Sequence, residues 1–199
     1  MKSVREGLNK IVDESFETGL RVLRHTLNAI EIEFLERAVE ALVLARRIYC
    51  YAVGSSGLLA SEVEYRFVRL GMNCIAIHDP LQMAVQSSLI SLKDVVIAFS
   101  QTGRNRHTVD GLAKARAAGA TTIGITRKSG SPLLAVTDIP LVLEQPDRDS
   151  QDLLPCSKIA ELVLVDALSR CVAMVRKSPA SSQVDQNIER MLSGRLSDR

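Results

Sequence analysis

The sequence predicts an α/β protein: a three-layer, doubly wound, five-stranded parallel sheet in the flavodoxin-like order, with a helical extension at its N-terminus. Three observations carry this. Five short β-rich runs alternate with helical patterns from Ile48 onward. The runs are rich in Val, Ile and Ala, as strands buried on both faces require. Strands one and three lead into turns of glycine and hydroxyl residues, Gly54-Ser55-Ser56-Gly57 and Ser100-Gln101-Thr102-Gly103, before helix starts. Strands separated by helices imply right-handed crossovers and a parallel sheet.

Residues from about Val4 to Arg47 read as helix, because Leu20, Leu23, Leu27, Ile30 and Phe34 recur at three- and four-residue steps. Gly7 and Gly19 are the only breakers, so the segment is one long helix or two joined near Gly19, serving as cover and dimer surface. Strand one is Ile48–Val53, followed by a helix from Ser56 to Leu70. Strand two is Asn73–Ile77, with Pro80 opening the next helix. Strand three is Asp94–Phe99, with a helix to about Ala118. Strand four is Thr121–Thr126, then the Gly130-Ser131-Pro132 turn. Strand five is Ile139–Leu143. A polar loop from Gln145 to Asp152 leads to an apolar helix from Ser157 to about Val175. Ser178-Pro179 ends it, and a last amphipathic piece covers Val184 to Leu192. The expected organisation is an extension over 1–47, a binding domain over 48–178 and a helical tail over 179–199.

In the strand order 2-1-3-4-5, strands one and three are neighbours and their exit loops flank the switch-point crevice where such sheets bind ligands. A strand, a Gly/hydroxyl turn and a helix start together aim free N–H groups and a positive dipole end at one point. That suits a phosphate, and serine and threonine hydroxyls add neutral donors.

Composition narrows the partners. The 199-residue chain is 46% hydrophobic and has a formal charge of only +2, room for one core and a weak footprint for nucleic acid. The first 47 residues hold eight basic and eight acidic residues, and the stretch from Arg176 holds five and three. Neither is a DNA-binding arm, so no direct nucleic-acid binding is expected. Cys50, Cys74, Cys156 and Cys171 show no metal-ligand spacing, and neither a metal nor a cofactor is expected. No signal peptide or membrane-length apolar run stands out, so the expected compartment is the cytoplasm.

The first turn is not a dinucleotide fingerprint, since Ser56 and Leu59 occupy positions that need glycine. No Gly-Lys-Ser/Thr P-loop and no G-x-S-x-G elbow follows either strand. Either turn alone would be an ordinary strand-to-helix connection. Two at one crevice favour a ligand.

Taken together, V-G-S-S-G-L-L-A-S-E-V-E-Y-R-F-V-R-L-G, D-V-V-I-A-F-S-Q-T-G-R-N, A-G-A-T-T-I-G-I-T-R and S-P-L-L-A-V-T-D resemble a SIS (sugar isomerase) domain. The frame is most similar to the sugar-phosphate-sensing domain of RpiR-type transcriptional regulators, and the likeness runs from about Leu20 to the C-terminus. It implies a phosphorylated sugar or sugar acid as partner. Ser56 matches the hydroxyl that contacts the phosphate after strand one. Ser100 and Thr102, with the amides of Gln101 to Arg104, match the main phosphate cradle. Gly54, Ser55 and Gly103 complete the two loops, and Asn105 stands where the family usually has Thr. No compact three-helix unit fits before Ile48, so the chain reads as a free-standing SIS protein or as an effector domain cut from a regulator.

Ser157-Lys158-Ile159-Ala160-Glu161-Leu162 is similar to the family's final core helix. Glu161 stands where those regulators usually have Gln and where single-domain phosphosugar isomerases have Glu. The resemblance therefore leaves two functions open. One is an effector-sensing module; the other is an aldose–ketose isomerase with Glu161 as base, which enediol chemistry requires. His78 ends strand two on the binding edge and is the one histidine placed to line the crevice or assist ring opening. A homodimer or homotetramer is expected, because the N-terminal helix and the helix from Ile159 to Val175 offer more apolar face than one sheet side covers.

Overall fold

The computed structural model describes residues 2–144, 158–176 and 186–191. The predicted loop from Gln145 to Asp152, the Ser178-Pro179 stop, Cys156 and the ends of the last amphipathic piece lie outside these residues; 186–191 are helical.

Helix α1 (Lys2–Ala29) and helix α2 (Ile32–Leu44) precede the sheet. The chain breaks at Ile30-Glu31, not near Gly19. Gly19 stays helical and faces the last core helix, where a Cβ would meet Ile159 Cδ1 at 3.9 Å. The break at Glu31, whose backbone is extended at φ −83° and ψ 111°, turns α2 back along the sheet. There Ala38, Val39 and Leu42 are buried.

Five parallel strands follow: β1 (Arg47–Ala52), β2 (Cys74–Ile77), β3 (Asp94–Phe99), β4 (Thr121–Thr126) and β5 (Ile139–Val142). Their order is β2-β1-β3-β4-β5, as predicted. Between them run α3 (Gly57–Arg69), α4 (Pro80–Ser87), α5 (Arg106–Ala117) and the short α6 (Pro132–Ala135); α7 (Ile159–Arg176) closes the domain. Side chains alternate across the sheet as the pleat demands. Ile48, Cys50 and Ala52 pack under α2, α3 and α7. Tyr49 and Tyr51 face α4 and α5, and Tyr51 hydroxyl meets Ser87 Oγ at 3.0 Å. Burial pushes the Tyr51 phenol up to about 12. Cys50, Cys74 and Cys171 are free thiols, and among the described residues no cluster of ligating side chains could hold a metal.

The amino end of the sheet is closed by two satisfied carboxylates. Asp94 accepts from both Arg46 Nε and a terminal Arg46 nitrogen at 3.1 Å, and from Ser91 N at 2.9 Å. Asp138 accepts from Thr122 Oγ1 at 2.7 Å and Arg116 Nε at 2.8 Å. Burial alone would raise both carboxyls, but these donors outweigh it and hold each below the ordinary range. The carboxyl end is built differently, and it holds the loops that the sequence singles out.

Candidate functional site

Strand β1 pairs with β3 through to Ala52 beside Phe99, so the chain leaves both strands at one edge, side by side. The first exit, Gly54–Ser56, is a single turn of 3-10 helix that runs into α3. Gly54 has φ +63°, a conformation that costs a residue with a Cβ about 1–2 kcal/mol. Nothing lies within 4 Å of where that Cβ would sit. Ser55 is exposed and Ser56 is buried.

The second exit is held from below. Ser100 is buried, its N–H donates to Ile125 O at 3.1 Å, and Gly103 N–H closes a turn onto Ser100 O at 2.9 Å. Gln101 O accepts from Arg127 N at 3.0 Å and from Thr126 Oγ1 at 3.3 Å; Gly103 O accepts from Leu133 N at 3.0 Å. Gly103 also has φ +63°, and here a Cβ would overlap Ser131. Ser131 Oγ is buried with no hydrogen-bond partner among the described residues. The segment after β4 is thus a brace beneath the loop after β3.

Asn105 caps α5: its Oδ1 accepts from Thr108 N and Thr108 Oγ1, both at 3.1 Å. That satisfies an orphan donor of the first turn and is worth about 1 kcal/mol. The Asn105 carbonyl oxygen is therefore engaged with its own helix. Arg104 is exposed, and its N–H donates to Thr102 Oγ1 at 3.3 Å. Arg106 faces Asp110 at 3.4 Å on the exposed side of α5, a pair of little energetic weight.

His78 follows β2 and lies against the start of α3. Its Nδ1 would be 3.0 Å from a Cβ on Gly57, and its Nε2 is 3.2 Å from Ser61 Oγ. The ring therefore stands beside the first loop.

Two residues of the α7 end change the picture. Lys158 immediately precedes α7, and its Nζ reaches Ser56 Oγ and Gln101 Oε1, each at 3.3 Å. One ammonium thus bridges the two exit loops. Glu161 is 4% exposed, and its two oxygens accept from Arg127 Nε at 2.7 Å and from a terminal Arg127 nitrogen at 2.6 Å. Arg127 is 5% exposed. The carboxylate is neither a solvated residue at a helix start nor a free base; it is half of a buried, bidentate ion pair, the strongest geometry for such a contact. The same Arg127 supplies the backbone donor for Gln101 O, so one residue links the brace, the second loop and α7.

Sequence reasoning passed over Lys158 and Arg127 as site residues. The available signals were a lysine opening an otherwise apolar helix and an arginine directly after a buried strand, a cation that needs a nearby anion.

Comparison with known proteins fits this arrangement. Residues 41–168 match the family model described as SIS domain. The chain belongs to the SIS domain family. It is 33% identical over 174 residues to the bifunctional protein glk of Burkholderia thailandensis, covering 84% of this chain but 27% of that protein. The SIS chain thus spans about a quarter of the length of that curated relative. In three dimensions it resembles the Vibrio vulnificus NanR protein complexed with ManNAc-6P, with a TM-score of 0.82 at 24% identity, covering 96% of this chain and 73% of that one. The sugar isomerase domain of the RpiR transcription factor from Sphaerobacter thermophilus gives the same TM-score and identity, covering 91% and 99%. At these identities the likeness establishes the SIS fold.

Proposed function

We propose that this SIS domain binds a phosphorylated sugar or sugar acid at the carboxyl ends of β1 and β3, as an effector-sensing module of the RpiR type. The observation that carries the reading is Lys158, which brings a positive charge to the point where the Ser56 and Gln101 loops meet. The phosphate would sit in the turn Ser100–Arg104, whose backbone the brace beneath holds at Gln101 O and Gly103 O; such preorganisation spares the ordering cost of binding. Gly54, Ser55, Ser56 and His78 would meet the sugar end. The NanR relative, complexed with ManNAc-6P, supports this ligand class.

The pairing of Glu161 bears on the choice between sensing and isomerisation. A base that shuttles a proton between sugar carbons needs an oxygen free to approach them. Both Glu161 oxygens are instead occupied by Arg127, which favours binding without chemistry.

The test is differential stabilisation. Phosphorylated sugars should raise the melting temperature while their unphosphorylated counterparts do not, because binding to the folded state alone adds stability. Equal shifts from both would defeat the phosphate assignment. NMR in deuterated water then separates the two functions: tight binders that acquire no deuterium at C1 or C2 identify a sensor, whereas exchange would establish an isomerase.

A further inference from the structure

The amino end of the sheet carries more positive charge than its two carboxylates balance. Asp94 is matched by Arg46. Asp138, which leads into β5, serves two arginines at once. Its Oδ1 accepts from Arg116 Nε at 2.8 Å, and its backbone O accepts from Arg37 Nη2 at 3.1 Å. Tied to one residue, the two guanidiniums stand within about 10 Å, a Debye length at moderate salt, and share one carboxylate. Glu33 and Glu40, one turn to either side of Arg37 on α2, are exposed and pair with neither arginine.

Arg37 comes from α2 and Arg116 from α5, helices that cover opposite faces of the sheet. Between them runs a groove of about 480 Å³, lined also by Gly119, Thr121, Asp138 and Ile139. Both guanidiniums are held in place. Arg37 stacks over the Phe34 ring at 5.5 Å, and Arg116 Nη1 donates to Ala135 O at 3.2 Å. Three of their nitrogens, Arg37 Nε and Nη1 and Arg116 Nη2, keep no partner among the described residues. Helix α5 ends at this groove with its carbonyls covered: Gly119 N–H donates to Arg116 O at 2.9 Å and Ala120 N–H to Ala115 O at 3.1 Å, with Gly119 at φ +90°. Oxygens that would repel an anion there are already engaged.

We propose that this groove is a second anion site, which takes the phosphate group of a small molecule between Arg37 and Arg116. Its volume suits a metabolite rather than a bare ion. Two forks approaching from opposite sides of the sheet select the anion. A planar carboxylate fills one fork, whereas a tetrahedral phosphate has oxygens enough to accept from both. The surplus positive charge is neutralised when the anion arrives. Strand β4 runs from Thr121 in the groove to Thr126 beneath the loop after β3, roughly 17 Å at the rise of a strand. The groove is therefore separate from the crevice, and the inference is independent of what the crevice binds.

Inorganic phosphate titrated into the full, isotope-labelled chain, with amide NMR as the readout, tests the site. The amides of Gly119, Ala120 and Thr121 should shift saturably, and sodium chloride at matched ionic strength should not reproduce the shifts. Arg37→Gln leaves Asp138 with Arg116 and Thr122, and Arg116→Lys keeps a charge beside Asp138 while removing the fork. Each should weaken the response at Gly119–Thr121 by about tenfold or more, the scale of a lost hydrogen bond between charged groups. Any response at Ser100–Arg104 should stay as in the parent, so the two sites are read separately. Still amides at Gly119–Thr121 in the parent would overturn the proposal, whatever the crevice does. So would shifts that chloride matches, or that survive both variants unchanged. Acetate that saturates the same amides as tightly as phosphate would overturn the assignment of a tetrahedral anion held by two forks.

Discussion

The two loops at the crevice differ more than their sequences suggest. Both follow a buried strand, both are built of glycine and hydroxyl residues, and both place a glycine at φ +63°. The loop after β1 stands open, with no atom within 4 Å of a Cβ on Gly54; the loop after β3 is seated on Ser131 and tied by Arg127, Thr126 and Leu133. A seated turn holds one geometry and suits the invariant part of a ligand, its phosphate. An open turn has room to differ in what it accepts. The contrast supports the proposal of a phosphate at Ser100–Arg104 and the variable sugar on the side of Ser55, Ser56 and His78.

Breaking the brace should have the largest effect. Glu161→Gln takes the Glu161 carboxylate away from the buried Arg127 guanidinium, and removal of one member of such a pair costs about 3–5 kcal/mol. A denaturant midpoint lowered on that scale, and largely restored when Arg127→Met is combined with Glu161→Met, would show that the pair is structural. Because both changes remove the pair together, the double variant leaves neither member facing the other's vacated position. A Glu161→Gln protein as stable as the parent would contradict the bidentate pairing.

The glycines come next and compare the loops directly. Gly54→Ala should cost about 1–2 kcal/mol of stability, the backbone penalty alone. Gly103→Ala carries the same penalty plus overlap with Ser131, and overpacking adds about 1–3 kcal/mol. Thermal melts should rank Gly103→Ala well below Gly54→Ala, and only the former should lose its response to sugar phosphates. Equal melts would mean that the brace yields, and the distinction between the loops would fall.

Much of this was legible in the sequence. The strand order, the switch point and the neighbouring exits follow from apolar runs and from where glycines and hydroxyls cluster, because those signals are local. The break at Ile30-Glu31 was not legible: Gly19 is the better local breaker, yet it lies within the α1 helix. Nor was the role of Glu161, whose partner lies 34 residues away. Its burial is a property of how α7 docks, and no spacing rule reports that. Lys158 escaped for the same reason, since its two contacts lie 102 and 57 residues distant.

The smallest effects sharpen the comparison most, because they leave the fold alone. Ser100→Ala removes a buried hydroxyl whose Oγ lies 3.4 Å from the amide of Asn105, in the turn assigned to the phosphate. It should weaken binding by about 1–2 kcal/mol, within the range of a lost hydrogen bond. The loss should be the same for every phosphorylated sugar and for inorganic phosphate, because all present the same dianion. Ser55→Ala changes an exposed hydroxyl on the open loop. Its effect should be near zero for inorganic phosphate and should vary from sugar to sugar, since hydroxyl patterns differ while the phosphate does not. Titration calorimetry of both variants against several sugar phosphates and inorganic phosphate reads this as a pattern rather than a magnitude. Uniform losses from Ser55→Ala, with sugar-dependent losses from Ser100→Ala, would invert the assignment of the two loops. Uniform losses from both would mean that the two loops share the phosphate, with Lys158 between them, and that the sugar is read elsewhere.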